Sequence, residues 1–297
     1  MKKLLDTIFG QKTEQPDLDI PTKPLPQETT QITLKKSHLE PPQLIVGCSQ
    51  SVGRQRDHNE DALFTLTTTL TSDYGNVPFG LYIVADGMGG HQHGEIASGI
   101  AIRVVAGLVV RKLYTTLLSV KHSPPEQSLL EIMQEGVMEA HRTITRQVPG
   151  GGTTLTAVLI LGNQMTVAHV GDSRAYSISP NGSMEILTRD HSLVKRLIEL
   201  GRITTDEAAV HPQKNVLYRA LGQGEPFDPD LNTMQLPDSG YILLCSDGLW
   251  GVVPDEDIRR LVLEAETPED ACIKLIEAAN EAGGPDNITA ILVRLPG

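Results

Sequence analysis

Three aspartates of this chain stand at the ends of apolar runs. Leu81-Tyr-Ile-Val-Ala-Asp86-Gly87 and Tyr241-Ile-Leu-Leu-Cys-Ser-Asp247-Gly248 each read as a buried strand stopped at Asp-Gly, and Asp286-Asn287 immediately precedes the apolar run Ile288 to Leu295. Carboxylates so placed would project from strand ends at the rim of a sheet sandwich, rigidly held yet reachable from solvent. Oxygen donors suit hard cations such as Mg²⁺ and Mn²⁺, and two such ions ~3.5–4 Å apart need a bridging carboxylate to offset their repulsion. A neighbouring glycine also lets a backbone carbonyl approach an ion. A single Asp-Gly more often only makes a turn, so the set carries the signal rather than any one member. Gly53-Arg-Gln-Arg56-Asp-His-Asn59-Glu60-Asp61 adds two adjacent carboxylates and Arg56, whose planar guanidinium matches the oxygens of a phosphate.

The elements that must hold these groups follow from hydropathy patterning. Ile96, Ile100, Val104 and Leu108 recur four apart and predict an amphipathic helix from Gly94 to Tyr114; Leu129, Met133, Val137 and Ile144 predict a second, from about Pro125 to Gln147. From Thr153 to Leu187 short apolar runs separated by Gly162-Asn163, Gly171-Asp172 and Pro180-Asn181-Gly182 predict an antiparallel meander. A helix over Leu193–Leu200 is stopped by Gly201, and the polar stretch to Tyr218 suits a flap over residues 193–218. Thr267-Pro-Glu-Asp caps a helix that Gly283-Gly284 closes, ahead of a last strand from Ile288. Sheets covered by helices are the expected architecture.

Composition narrows the function classes. The net charge of −12 and the lack of any Lys/Arg cluster exclude a nucleic-acid partner, whereas an acidic excess agrees with carboxylates gathered around cations. Cys48, Cys245 and Cys272 are too few and too scattered for a disulfide framework or a zinc site, so free thiols in a reducing compartment are expected. Residues 1–43, rich in Pro, Gln and Thr, read as a disordered tail before a domain at 44–297. No apolar run suits a signal peptide or a bilayer span of ~30 Å, so a cytoplasmic protein without stable membrane insertion is expected, and a monomer. His169, His191 and Trp250 read as packing residues.

The ordered set Arg56-x-x-Asn59-Glu60-Asp61, Asp86-Gly87-Met-Gly-Gly-His91, Gly152-Thr153-Thr154, Val170-Gly171-Asp172-Ser173-Arg174, Asp190-His191-Ser192, Ser246-Asp247-Gly248 and Asp286-Asn287-Ile-Thr289 resembles the bacterial-type protein phosphatase 2C family, from about Leu44 to the C-terminus. The resemblance implies an α+β fold, a four-layer α-β-β-α sandwich of two antiparallel sheets flanked by helices, with a binuclear Mn²⁺ or Mg²⁺ centre at one end. It implies that Asp86 bridges both ions, that the Gly87 carbonyl and one of Glu60 and Asp61 complete the second, and that Asp247 and Asp286 bind the first. The other member of the Glu60-Asp61 pair would hold a water on the metal, and Arg56 would orient the phosphate. The implied activity is hydrolysis of phosphoserine and phosphothreonine in targets of a Ser/Thr kinase, by a bridging hydroxide. A catalytically weak pseudo-phosphatase, acting as a phosphoprotein-binding or regulatory module, is the alternative.

Two positions depart from the family pattern. Met88 stands where animal relatives carry a histidine that could protonate the leaving group, which leaves a metal-bound water, or secondarily His91, for that role. The family's third ion would use Asp172, Asp247 and an aspartate four residues further on, where this chain has Gly251, so a third divalent ion is expected to bind weakly.

Overall fold

A computed structural model of the chain describes residues 43–72, 75–90, 92–119, 127–225 and 227–297. The expected tail, apart from its last residue, and His91 lie outside them. Two antiparallel sheets form. In the first, β1 (Ile45–Ser51), β11 (Ile288–Arg294), β10 (Tyr241–Cys245), β7 (Arg174–Ile178) and β8 (Met184–Ile186) lie side by side in that order. In the second the order is β2 (Asp61–Ser72), β3 (Gly75–Met88), β5 (Leu155–Leu161), β6 (Gln164–Val170) and β9 (Asp230–Gln235), with the short β4 (Gly152–Thr153) pairing to the end of β3.

Three buried apolar groups place the layers. Tyr82, Val84, Val158, Ala175, Leu244 and Ile291 pack between the sheets. Leu81, Ile83 and Leu159 point from the other face of the second sheet toward α1 (Gln92–Val109) and α3 (Leu129–Gln147), and Leu243 and Leu292 face α7 (Asp255–Glu264) and α8 (Pro268–Glu281). Alternation along β3, β5, β10 and β11 feeds both sides because each strand is covered on both faces. The expected four-layer sandwich is therefore the observed one. At Gly47 a Cβ would come within 2.2 Å of the Pro268–Glu269 backbone, so only glycine lets α8 lie this close to β1.

Helix boundaries follow local chemistry. The second helix starts at Leu129 rather than near Pro125 because Ser128 closes a capping box with Glu131. Replacing Ser128 by alanine should cost about 1 kcal/mol of stability and leave any catalysis unchanged, as chemical denaturation and a rate assay would show. In α1 the expected stripe is buried at Ile100 and Leu108, with Val104 packed against the core, and only its first member departs. The buried face runs through Ala97, Ala101 and Val105, and Ile96 is 46% exposed. Past Val109 the helix continues through a π turn (Val110–Tyr114) into α2 (Thr115–Leu117).

The expected meander is broken at its most informative point. β5 and β6 pair as a hairpin, but β7 joins the opposite sheet, beside β10. The crossing occurs at Gly171, where φ is 107° and a Cβ would come within 2.6 Å of the Thr154 side chain. It delivers Asp172 to the end of the sandwich. Residues 193–218 contain α4 (Leu193–Glu199) and α5 (Thr205–Ala209), and return to the body through a bridge between Ser192 and Leu217. No helix among the described residues is long and apolar enough to cross a membrane. Cys48, Cys245 and Cys272 are free, the last two buried.

Candidate metal centre

Strand pairing brings the acids together. In the β2–β3 register Asp61 lies directly opposite Asp86, and the β3 strand runs on to Gly87, whose N–H donates to the Glu60 carbonyl at 3.2 Å. Asp86 is fixed by the next strand over: its N–H donates to Thr154 Oγ1 at 2.9 Å, and its carbonyl accepts from Thr154 N at 2.8 Å and Thr153 Oγ1 at 2.9 Å. Asp247 opens α6 (Asp247–Trp250), two residues past the end of β10. Asp286 precedes β11, and its Oδ2 accepts from Arg56 Nη2 at 2.7 Å.

These groups line one cavity of about 240 Å³ at the end of the sandwich: Arg56, Glu60, Asp86, Gly87, Asp172, Asp247 and Asp286 are all on its wall. Asp61 is not on it. Its carboxylate lies behind, buried, with Oδ2 accepting from Thr289 Oγ1 at 2.6 Å and Ser246 Oγ at 2.8 Å. Of the adjacent pair, Glu60 is therefore the one that faces the cavity. Asp61, the other candidate of the pair, lies off the cavity wall, and its Oδ1 is buried without a hydrogen-bond partner. Glu60 is positioned by its N–H donating to Asn287 Oδ1 at 2.8 Å, by Ser98 Oγ donating to its carbonyl at 2.6 Å, and by His58 Nε2 beside Oε1 at 2.9 Å. Gly94 leaves room for the Glu60 carboxylate, which a Cβ there would strike at 1.9 Å.

Asp172 is braced to the Asp247 turn. Trp250 Nε1 donates to the Asp172 carbonyl at 3.0 Å, the Arg174 guanidinium lies 3.5 Å from the Trp250 ring centroid, and Asp190 grips Arg174 with two bonds of 3.0 and 2.7 Å. Trp250 is thus half packing residue and half strut. His169 and His191 do the structural work expected of them: His169 meets Thr156 Oγ1 at 2.9 Å, and His191 accepts from Gly171 N–H at 3.1 Å.

Electrostatically the cavity is over-supplied with negative charge, five carboxylates against one arginine. Burial, then the charges of Asp61 and Asp247, pushes the Asp86 carboxyl well above its usual range. Burial, then Asp247, does the same to Asp172. Burial raises Asp61 to about 7 against its two hydroxyl donors, and burial with the Asp286 charge raises Asp247 to about 6. Such folded-state values favour the neutral acid, so their contribution to stability is complete below the unfolded carboxylate range and is lost as pH rises through about 6 to 7. In chelator, the domain should lose melting temperature between pH 4.5 and 7.5 more steeply than its Asp61→Asn variant; parallel profiles would contradict the assignment.

The donor set fits hard divalent cations. It is all oxygen, and the Asp247 Oδ1 is buried without a hydrogen-bond partner, as is Asp61 Oδ1. Gly87 has no space for a side chain, since a Cβ would come within 2.3 Å of the Gly94 carbonyl. Among the described residues no three acidic, histidine or cysteine side chains close on a single point that could hold an ion alone. The carboxylates ring a space instead, an arrangement suited to ions that keep several waters. A larger depression of about 500 Å³ at the open side of the sandwich includes Arg189 and Asp230, but both are already paired, to Glu199 and to Arg219. Sequence reasoning missed Asn215 and Leu217 on the cavity wall; Asn287, quoted in the Asp286 motif, shares that wall, and Ser246, quoted in the Asp247 motif, donates to Asp61 behind it. Asn215 and Leu217 lie in the stretch without periodicity, so nothing in the sequence aimed them.

Comparison with known proteins gives the same outline. The family model described as protein phosphatase 2C matches residues 47–288. The chain is 37% identical over 243 residues to the serine/threonine phosphatase stp of Listeria monocytogenes, covering 81% of this chain and 92% of that one. It is also 37% identical to the protein phosphatase PhpP of Streptococcus pneumoniae, over 82% of this chain and 94% of the relative. The crystal structure of the Mycobacterium tuberculosis serine/threonine phosphatase PstP/Ppp superposes with a TM-score of 0.71 at 33% identity, over 85% of this chain and 99% of that one. A PstP catalytic domain described as a complex with 2 manganese ions gives 0.69 at 32% identity, over 85% and 98%.

Proposed function

Because the chain belongs to the protein phosphatase 2C family, we propose that it hydrolyses phosphoserine and phosphothreonine in proteins, with two Mn²⁺ or Mg²⁺ ions at the carboxylate-ringed cavity. The observation that carries this reading is the convergence of Glu60, Asp86, Asp247 and Asp286 with Arg56 on one cavity. Asp86, Asp247, Asp286, Glu60 and the Gly87 carbonyl would hold the ions, with Asp86, clamped between Thr153 and Thr154, the carboxylate placed to be shared. Asp61 is assigned a supporting role beneath Asp86. Bound ions would neutralise the phosphoryl oxygens and acidify water, so that a hydroxide nucleophile is available near neutral pH.

The residues of the chain do the rest. Arg56 presents its guanidinium to the equatorial phosphoryl oxygens, and Asp286 holds it at the rim. Glu60, a pure acceptor when ionised, orients a water for in-line attack. As the new P–O bond forms, the bond to the serine or threonine oxygen breaks and that oxygen takes a proton from water; among the described residues no histidine lines the cavity. Met88, Gly89 and Gly90 form a wall with little bulk where the substrate backbone must approach.

A pseudo-phosphatase reading requires a broken acidic set, and the set here is complete. A third ion at Asp172 would be weak because Gly251 supplies no carboxylate. The 1–43 tail, the 44–297 catalytic domain with its 193–218 flap, the monomeric state and the cytoplasmic site of action belong to the same reading, as do Ser/Thr kinase targets as substrates. The test is hydrolysis of p-nitrophenyl phosphate: turnover is expected with Mn²⁺ and none in excess chelator, and turnover indifferent to chelator would refute the metal-dependent account.

A further inference from the structure

Three arginines of this acidic protein converge beside the catalytic cavity. Arg189, Arg196 and Arg219, with Leu193 and Tyr218, line a second cavity of about 390 Å³. The opposing acids are fewer. Glu199 accepts from Arg189 Nε at 2.8 Å and sits 3.7 Å from Arg196, while Asp230 accepts from Arg219 at 2.7 Å. Two carboxylates face three guanidiniums, each guanidinium has five N–H donors, and most of those donors are not used by these pairs. The Arg189 and Arg196 side chains are each 53% exposed, and Tyr218 is 47% exposed. Arg189 closes its Nε and Nη2 on Glu199. The donors left to a ligand are therefore the outer nitrogens of Arg189 and those of Arg196 and Arg219, and beside an aromatic ring and a leucine they fit an anionic side chain on a polypeptide better than a free ion.

The position of this cavity relates it to the chemistry. Asn215 and Leu217 face the metal cavity, and the next residues of the same extended segment, Tyr218 and Arg219, face the arginine cavity. The segment is pinned by the Ser192–Leu217 bridge and by Tyr218 N–H donating to the His191 carbonyl at 2.9 Å. Because one short segment lines both cavities, a polypeptide lying across it can reach both.

We propose that the Arg189–Arg196–Arg219 cavity is a specificity subsite that receives a carboxylate or second phosphate of the substrate polypeptide, on the same stretch of chain as the phosphoserine or phosphothreonine being hydrolysed. The proposal rests on the phosphatase reading above. Such a site selects substrates through KM and not through the chemical step, and its effect is screened by salt.

The experiment uses phosphothreonine peptides identical except for one glutamate, or one phosphoserine, placed from four residues before to four after the scissile residue, with glutamine as the neutral reference. Phosphate release is measured with Mn²⁺ for the full chain and for Arg196→Glu, an exposed change on α4. At least one placement is expected to raise kcat/KM about 10-fold through KM. The preference should shrink in 0.5 M salt and be lost or reversed in Arg196→Glu, with p-nitrophenyl phosphate turnover the same in both proteins. If glutamate and phosphoserine act alike the subsite reads charge; if only phosphoserine acts it reads phosphate, and either supports the site. Equal rates for every peptide, or a preference untouched by Arg196→Glu, would overturn it while p-nitrophenyl phosphate turnover keeps the phosphatase reading intact. Absence of that turnover would instead remove the phosphatase reading, and the subsite with it.

Discussion

Asp86→Asn and Asp247→Asn are each expected to lower kcat for p-nitrophenyl phosphate by at least ~10²–10³-fold, on the scale of losing one preorganised electrostatic stabiliser. Asparagine preserves the shape of the side chain and its acceptor oxygen, so the loss isolates the charge. Asp86 is the sharper case. Its backbone is clamped on both sides by Thr153 and Thr154, so the amide would occupy the place of the carboxylate without being able to neutralise two cations. Stability should move in the opposite direction. In chelator the wild-type cavity holds three acids, Asp86, Asp172 and Asp247, whose burial and the charges around them disfavour ionisation, and removing one relieves that repulsion. The metal-free variants should therefore melt no lower than the metal-free wild type, while the rise in melting temperature on adding Mn²⁺ should largely vanish. A variant that is inactive because it is misfolded would fail the first comparison; one that retains both activity and the Mn²⁺ shift would remove Asp86 or Asp247 from the centre.

Arg56→Ala is expected to reduce kcat/KM for a phosphopeptide by about 10²-fold, with Arg56→Lys intermediate. The lysine keeps the charge but not the planar fork, so the difference between the two variants measures the geometric part of phosphate recognition. Arg56 also neutralises Asp286. Its loss leaves that carboxylate facing the other acids, and Mn²⁺ affinity should be held or improved even as turnover falls. Steady-state kinetics together with a Mn²⁺ titration separate these effects. Equal kinetics for wild type and Arg56→Ala would place phosphate recognition elsewhere.

Much of this was legible in the sequence because short-range chemistry decided it. The buried strands ending near Asp86 and Asp247, the Thr267 cap of α8 and the strand after Asp286 all formed where hydropathy and capping residues placed them. What could not be read were features set by long-range pairing. The apolar runs around Gly171 have the spacing of a meander, yet the chain changes sheets there, and Thr154 occupies the space that any Cβ at 171 would need. Glu60 and Asp61 are equivalent as text. Only the register that sets Asp61 opposite Asp86, above Ser246 and Thr289, determines which of the two faces the cavity. The arginine cavity was equally hidden, because its members lie 30 residues apart between Arg189 and Arg219 and form no basic run.

The most direct measurement is anomalous scattering at the manganese edge from a crystal of the full chain soaked in MnCl₂. Two peaks ~3.5–4 Å apart are expected in the cavity, with Asp86 between them, Asp247 and Asp286 on one, and Glu60 with the Gly87 carbonyl on the other. A well-ordered cavity with no manganese, or ions held only by residues outside this set, would contradict the account.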